Sequence, residues 1–116
     1  MERAVTRRGL AHVQVRPCLG HDLQIQDLEA SVDLAVAIDV LHETPDPDAT
    51  IRQMAAVLRP GGKLLVREPQ GHCPWHVFQA EVAWAVGAGL VRQPGPWDPG
   101  SKAQVALFEK KGPEQA

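Results

Sequence analysis

The sequence predicts one α/β domain built on a mainly parallel sheet, and three observations lead to that prediction. The run Val32 to Ile38 is apolar almost without interruption, the pattern of a strand covered on both faces, as strands of parallel sheets are. Helical stretches of roughly a dozen residues alternate with strand-like segments after it, which favours parallel pairing through crossover helices. The chain has 116 residues, 44% hydrophobic and 22% charged, enough for a single modest core and too apolar for a disordered chain.

The elements follow in order. Glu2 to Arg8 is charged and runs into Gly9, which suits the end of a helix closed by glycine. His12 to Arg16 alternates polar and apolar before Pro17 and reads as a short strand with Val13 and Val15 on one face. Val32 to Ile38 is the central strand. Asp46 then supplies an N-cap, Pro47 a first helical residue, and Ile51, Met54, Ala55 and Leu58 one apolar face, so a helix is expected from Pro47 to Leu58. Arg59-Pro60-Gly61-Gly62 stops it in a tight reversal, since proline cannot continue the ladder and glycine accepts turn geometry. Lys63 to Glu68 forms the next strand. Between Trp75 and Ala88 the residues Phe78, Val82, Ala85 and Val86 mark a second helical face, ended by Gly87 and Gly89. Leu90 to Arg92 makes a short strand, Pro94 to Gly100 a loop, and Ala103 to Glu109 a last strand. The domain is expected to span residues 1–111, with 112–116 a flexible tail.

Composition excludes several classes of function. A formal net charge of −2, with both signs scattered, offers no basic stripe for nucleic acid. No apolar run approaches the ~20 residues of a spanning helix, and Met1 to Arg3 introduce no signal peptide, so no membrane partner and a cytoplasmic location are expected. Two cysteines, Cys18 and Cys73, are too few for a disulfide framework. His72 and His76 stand four apart beside Cys73, but Pro74 between them opposes a shared helix face and no C-x-x-C spacing is present, so no metal is assigned.

Chemistry concentrates between Ser31 and Gly71, SVDLAVAIDVLHETPDPDATIRQMAAVLRPGGKLLVREPQG. An acidic residue opening a strand (Asp33), the loop Asp39-Val40-Leu41-His42-Glu43, a helix ending in Leu58-Arg59-Pro60-Gly61-Gly62 and an immediate strand resemble the fourth and fifth strands of class I S-adenosylmethionine-dependent methyltransferases. Arg7 to Val15 resembles the approach to that family's third strand, and Ala88 to Val91 the approach to its sixth. The resemblance implies a truncated Rossmann-like methyltransferase sheet, mainly parallel with an antiparallel final strand. It also implies S-adenosylmethionine as cofactor, nearest Ala37, Ile38 and Asp39. The family's glycine-rich cofactor loop and the acidic end of its second strand have no counterpart in these residues, and Leu19 stands about where many members carry an adenine-binding aspartate.

In open α/β sheets ligands bind beyond the carboxyl ends of the strands, which brings Cys18–Asp22, Ile38–Glu43 and Glu68–His72 toward one cleft. The resemblance puts His42 on the acceptor side as a candidate catalytic base, because histidine titrates near neutral pH, with Glu43, Glu68 and His72 as candidate substrate-binding residues. His42 could equally be a space-filling loop residue, and Asp39 could cap the loop that follows it. Trp75, Trp84 and Trp97 read as core or interface anchors.

The family strand order is 3-2-1-4-5-7-6, so with strands 1 and 2 absent from this sequence the fourth strand keeps an open edge. Open apolar edges invite association, and a homodimer is the expected partnership. Two functions stay open: methyl transfer to a small molecule by a chain completed from elsewhere, or a non-catalytic oligomeric binding or scaffold protein on the same fold.

Overall fold

The computed structural model describes Gly9 and residues 11–95 and 104–112. Its centre is a four-stranded sheet in the order β1-β2-β4-β3, with β1 at Val32–Ile38, β2 at Leu58–Glu68, β3 at Leu90–Gln93 and β4 at Gln104–Lys110. β1 runs parallel to β2, and β4 is antiparallel to both of its neighbours, β2 and β3. Strands 4-5-7-6 of the family order give this arrangement, so the expected Rossmann-like sheet with an antiparallel final strand is observed among the described residues.

Two helices cover one face. α1, Pro47–Val57, starts where Asp46 accepts the Ala49 N–H at 3.0 Å, with Pro47 in its first turn, so one of the donors a helix leaves orphaned is satisfied. It buries Thr50, Ile51, Ala55 and Val57. α2, Trp75–Gly87, buries Phe78, Glu81 and Ala85. Against them the sheet presents Leu64, Val66, Ala106 and Phe108, all buried in one core with Leu41, Ile51, Leu58 and Leu90. Val82 is only half-buried and Val86 exposed. The buried stripe of α2 therefore passes through Glu81 instead of the purely apolar face expected.

On its other face β1 is exposed among the described residues. Leu34, Val36 and Ile38 alternate along β1 and are 57%, 52% and 48% exposed, so β1 is covered on one side only, contrary to the two-sided burial its composition predicts. Among the described residues no strand pairs with the outer edge of β1.

Two local expectations are corrected. The 12–16 segment forms no strand. Val13 and Val15 are too little apolar surface to hold an isolated pairing, and the segment is instead tied down where Arg16 grips Asp27 through two hydrogen bonds of 2.7 and 2.9 Å. Arg59 to Gly62 do not separate helix from strand: β2 already begins at Leu58, and the ladder jumps from Val32↔Leu58 to Leu34↔Lys63, so these residues bulge within the strand. Gly61 has φ +83°, and a Cβ on Gly62 would lie 2.9 Å from both the Arg59 and the Val32 carbonyl oxygens. Glycine is thus required at Gly62 by close approach and favoured at Gly61 by conformation. Arg59 itself reaches across to Asp33 at 2.6 Å. The proposed 2–8 helix, Trp97, most of the 94–100 loop and the 113–116 tail lie outside the described residues.

Candidate functional site

Parallel register brings the carboxyl ends of β1 and β2 side by side, since Ile38 pairs with Arg67. From there β1 turns abruptly: Asp39 adopts φ +58°, a left-handed conformation that aspartate tolerates better than most residues, while its N–H donates to the Arg67 carbonyl at 2.7 Å. The reversal feeds a 3-10 turn, Leu41–Glu43, whose buried Leu41 anchors it in the core. His42 is thereby swung over the end of β2, where Glu68 stands.

The two residues are 26 positions apart and lock together. Glu68 Oε2 accepts the His42 backbone N–H at 3.0 Å and meets Nδ1 at 2.9 Å. An ionised carboxylate can only accept, so Nδ1 carries the proton and, in the neutral ring, Nε2 keeps its lone pair. The Glu68 side chain is fully buried, and that of His42 is 12% exposed with Nε2 3.6 Å from the exposed Glu43 carboxylate. A general base held by an orienting carboxylate would need this arrangement, with Nε2 on the Glu43 side of the ring left for an acceptor. Glu68, expected at the substrate, lies beneath His42 and cannot reach a ligand directly. Glu43 is open to solvent beside the ring. His72 is exposed in the loop after β2, its N–H on the Pro69 carbonyl.

Of the expected cofactor residues, Ala37 is 2% exposed, while Ile38 and Asp39 are exposed at the end of β1 with Val40. The Asp39 carboxylate makes no hydrogen bond among the described residues, so it does not cap the following loop. Cys18–Asp22, expected to share the cleft, is drawn to α1: Gln53 accepts the Leu23 N–H at 2.7 Å and donates to the His21 carbonyl. Gly87-Ala88-Gly89 has G-x-G spacing but closes a helix instead of following a strand, so it is no phosphate or cofactor loop.

Behind the dyad lies a group that the sequence reading missed. Glu68, Cys73 and Glu81 are all buried, with ligand-capable atoms within 4.8 Å of one another. Burial above all, then hydrogen bonding to Glu68 and the nearby carboxylates, pushes the Cys73 thiol up to about 12. Burial, followed by the Glu68 charge and a hydrogen bond to it, pushes the Glu81 carboxyl up to about 8. The available signal was positional: Glu81 stands three residues after Phe78 and four before Ala85, on the face that packs inward.

Comparisons with known proteins bear on the family and the fold. Residues 3–98 match the family model for a methyltransferase domain. Among curated proteins, highly reducing polyketide synthase PKS6 of Gibberella zeae is 41% identical over 59 residues, 49% of this chain and 2% of the synthase. Highly reducing polyketide synthase 2 of the same fungus is 36% identical over 80 residues, 68% of this chain and 3% of that protein. The chain thus spans a small fraction of these relatives. Among solved structures, the [4+2]-cyclase SpnF superposes with a TM-score of 0.63 at 24% identity, covering 79% of this chain and 39% of its own. The CurJ carbon methyltransferase gives 0.61 at 15% identity, over 96% and 39% respectively. A methyltransferase of Thermotoga maritima, described as a possible histamine N-methyltransferase, gives 0.61 at 15%, over 95% and 70%. These likenesses establish the shared fold, and the family match establishes membership: the chain belongs to the methyltransferase-domain family.

Proposed function

We propose that this chain supplies the base side of an S-adenosylmethionine-dependent methyltransferase whose acceptor is a small molecule of the polyketide acyl class, methylated at an acidic carbon. The observation that carries the reading is the 2.9 Å contact of His42 Nδ1 with the buried Glu68 carboxylate. An acceptor atom that must lose a proton to become nucleophilic needs a base, whereas one with a ready lone pair needs mainly positioning. A carbon next to a carbonyl is of the first kind, and the polyketide synthase relatives and the carbon methyltransferase neighbour make it the best candidate.

S-adenosylmethionine, when bound, supplies the methyl group from its sulfonium. The residues present fit one wall of such a site: Ile38 and Val40 offer exposed apolar surface and Asp39 an exposed carboxylate at the end of β1, and Ala37 can contribute only backbone. His42 Nε2 takes the proton from the acceptor carbon. Glu68 fixes the ring and stabilises the imidazolium that results. Glu43 and His72 flank the entrance as candidate acceptor contacts.

Titration with S-adenosylhomocysteine, followed by backbone amide NMR, tests the cofactor half. Saturable shifts at Ile38–Glu43 are expected; their absence at millimolar ligand removes the enzymatic reading for this chain alone. His42→Gln should abolish methyl transfer to a 3-oxoacyl thioester while leaving those shifts in place.

The exposed face of β1, and its edge that no strand among the described residues pairs with, favour a second reading, an oligomeric binding or scaffold protein without catalysis, in which two copies join through β1 as a homodimer. No helix among the described residues is long and apolar enough to cross a membrane, and with free cysteines at Cys18 and Cys73 we place the protein in the cytoplasm.

A further inference from the structure

We infer that Glu68 and Glu81 share a single proton, held on Glu81, and that Glu81 is in consequence a positioning residue for the His42 base. The inference rests on the reading of His42 as a base, but the proton itself can be detected without any turnover.

The argument begins with acceptors that have no donors. Glu81 is 1% exposed, and neither of its carboxylate oxygens meets a hydrogen-bond donor or cation among the described residues; the same holds for Glu68 Oε1 and Gln104 Oε1. Two carboxylates buried side by side without a neutralising cation cannot both keep their charge, because each loses its hydration and repels the other, and one of them takes up a proton. Geometry decides which one. Glu68 Oε2 already receives two N–H donors from His42, which favours its anion, whereas Glu81 receives none. A proton on Glu81 then turns it into a donor toward Glu68 Oε1, the oxygen that His42 leaves open. The carbonyl oxygen of Glu81 and Gln104 Oε1 remain as neutral dipoles, which cost far less to bury than a second charge.

Every neighbouring element agrees with this placement. β2 contributes Glu68, and the loop after it contributes Cys73, whose raised thiol stays protonated and faces the same carboxylate. β4 contributes Gln104, an uncharged amide whose Nε2 donates to the Cys73 carbonyl at 2.8 Å. His42 approaches from the 3-10 turn on the far side of Glu68. With Glu81 neutral, Glu68 carries one full negative charge and aims it at Nδ1. Loss of the proton from Glu81 would place a second negative charge behind Glu68, on the side away from the ring.

Infrared spectroscopy of the purified chain in D2O tests this directly. At neutral pH a protonated-carboxyl C=O band is expected, fading as the pH rises through about 8, and Glu81→Gln should remove it. In the wild type the His42 ring resonances should report loss of the Glu81 proton by moving near pH 8, and in Glu81→Gln that movement should disappear while the amide keeps a donor on Glu68. Absence of the band from the folded wild-type protein at neutral pH overturns the inference, as does its survival in Glu81→Gln. A stoichiometric divalent cation copurifying with the chain also overturns it, since the same acceptors would then be metal ligands. None of these readings depends on methyl transfer, so failure of the enzymatic proposal leaves the proton's fate separately decided.

Discussion

A carboxyl group that folding makes harder to ionise links stability to pH, and Glu81 allows the size of that link to be worked out. Its value rises from an ordinary 4.5 to about 8 in the folded chain, through burial first and the Glu68 charge second. Between those values the folded state holds a proton that the unfolded state has released, so stability is fully present below 4.5 and falls as pH rises toward 8. The slope contributed by one such group is at most about 1.4 kcal/mol per pH unit. With a urea dependence of ~1–3 kcal/mol/M for a small domain, the unfolding midpoint should move down by roughly 0.5–1.4 M per unit at full slope. Glu81→Gln has no proton to lose there and should flatten this contribution, so the variant gains on the wild type steadily from pH 5 to pH 8. Urea titrations of both proteins across that range measure the difference. Parallel midpoint curves would refute the reasoning, because a pair of proteins differing only at residue 81 would then take up the same number of protons on folding.

Further expectations come from the scaffold. Gly62→Ala would drive a methyl group into the Arg59 and Val32 carbonyls at 2.9 Å and should cost about 1–3 kcal/mol, the range for overpacking; a change within about 0.5 kcal/mol in chemical denaturation would show that the bulge gives way easily. Asp46→Ala removes the acceptor of the Ala49 N–H and should lower stability by about 0.5–2 kcal/mol, while Asp46→Asn should retain most of it; equal losses for both would point away from capping. If two copies pair through β1, size exclusion with light scattering at micromolar concentration should show a dimer that Val36→Lys converts to monomer. A wild-type protein that is monomeric under those conditions excludes the pairing.

Where backbone patterning governs, the sequence was a good guide. α1 ends one residue from its expected limit because Asp46, Pro47 and the apolar spacing all state the same boundary, and β1 is found at the residues its composition marks. The 12–16 segment failed because alternation describes a strand's faces and says nothing about whether a neighbouring edge exists to pair with. The two-sided burial expected of β1 failed for a related reason: apolar residues suit a covered face, but composition does not supply the cover. At the site, His42 could be singled out from its loop, yet the role of Glu68 depends on the β1–β2 register that carries it beneath the imidazole. Glu81 was passed over because a lone acid on a helix is ordinarily solvated, and only the partnering of α2 with β2 and β4 shows what surrounds it.

The position of β4 has a consequence for how the molecule is made. It is the last strand of the sheet in sequence but an inner one in space, bonded to β2 on one side and β3 on the other. A nascent chain that has produced α1, β2 and α2 therefore holds β3 with no ladder to join, and Phe108 and Ala106 are still missing from beneath the helices. Until Lys110 is free of the ribosome, the sheet stays split between its two flanks, and a chaperone that shields β2 during that interval would find an apolar edge waiting for the strand that is made last.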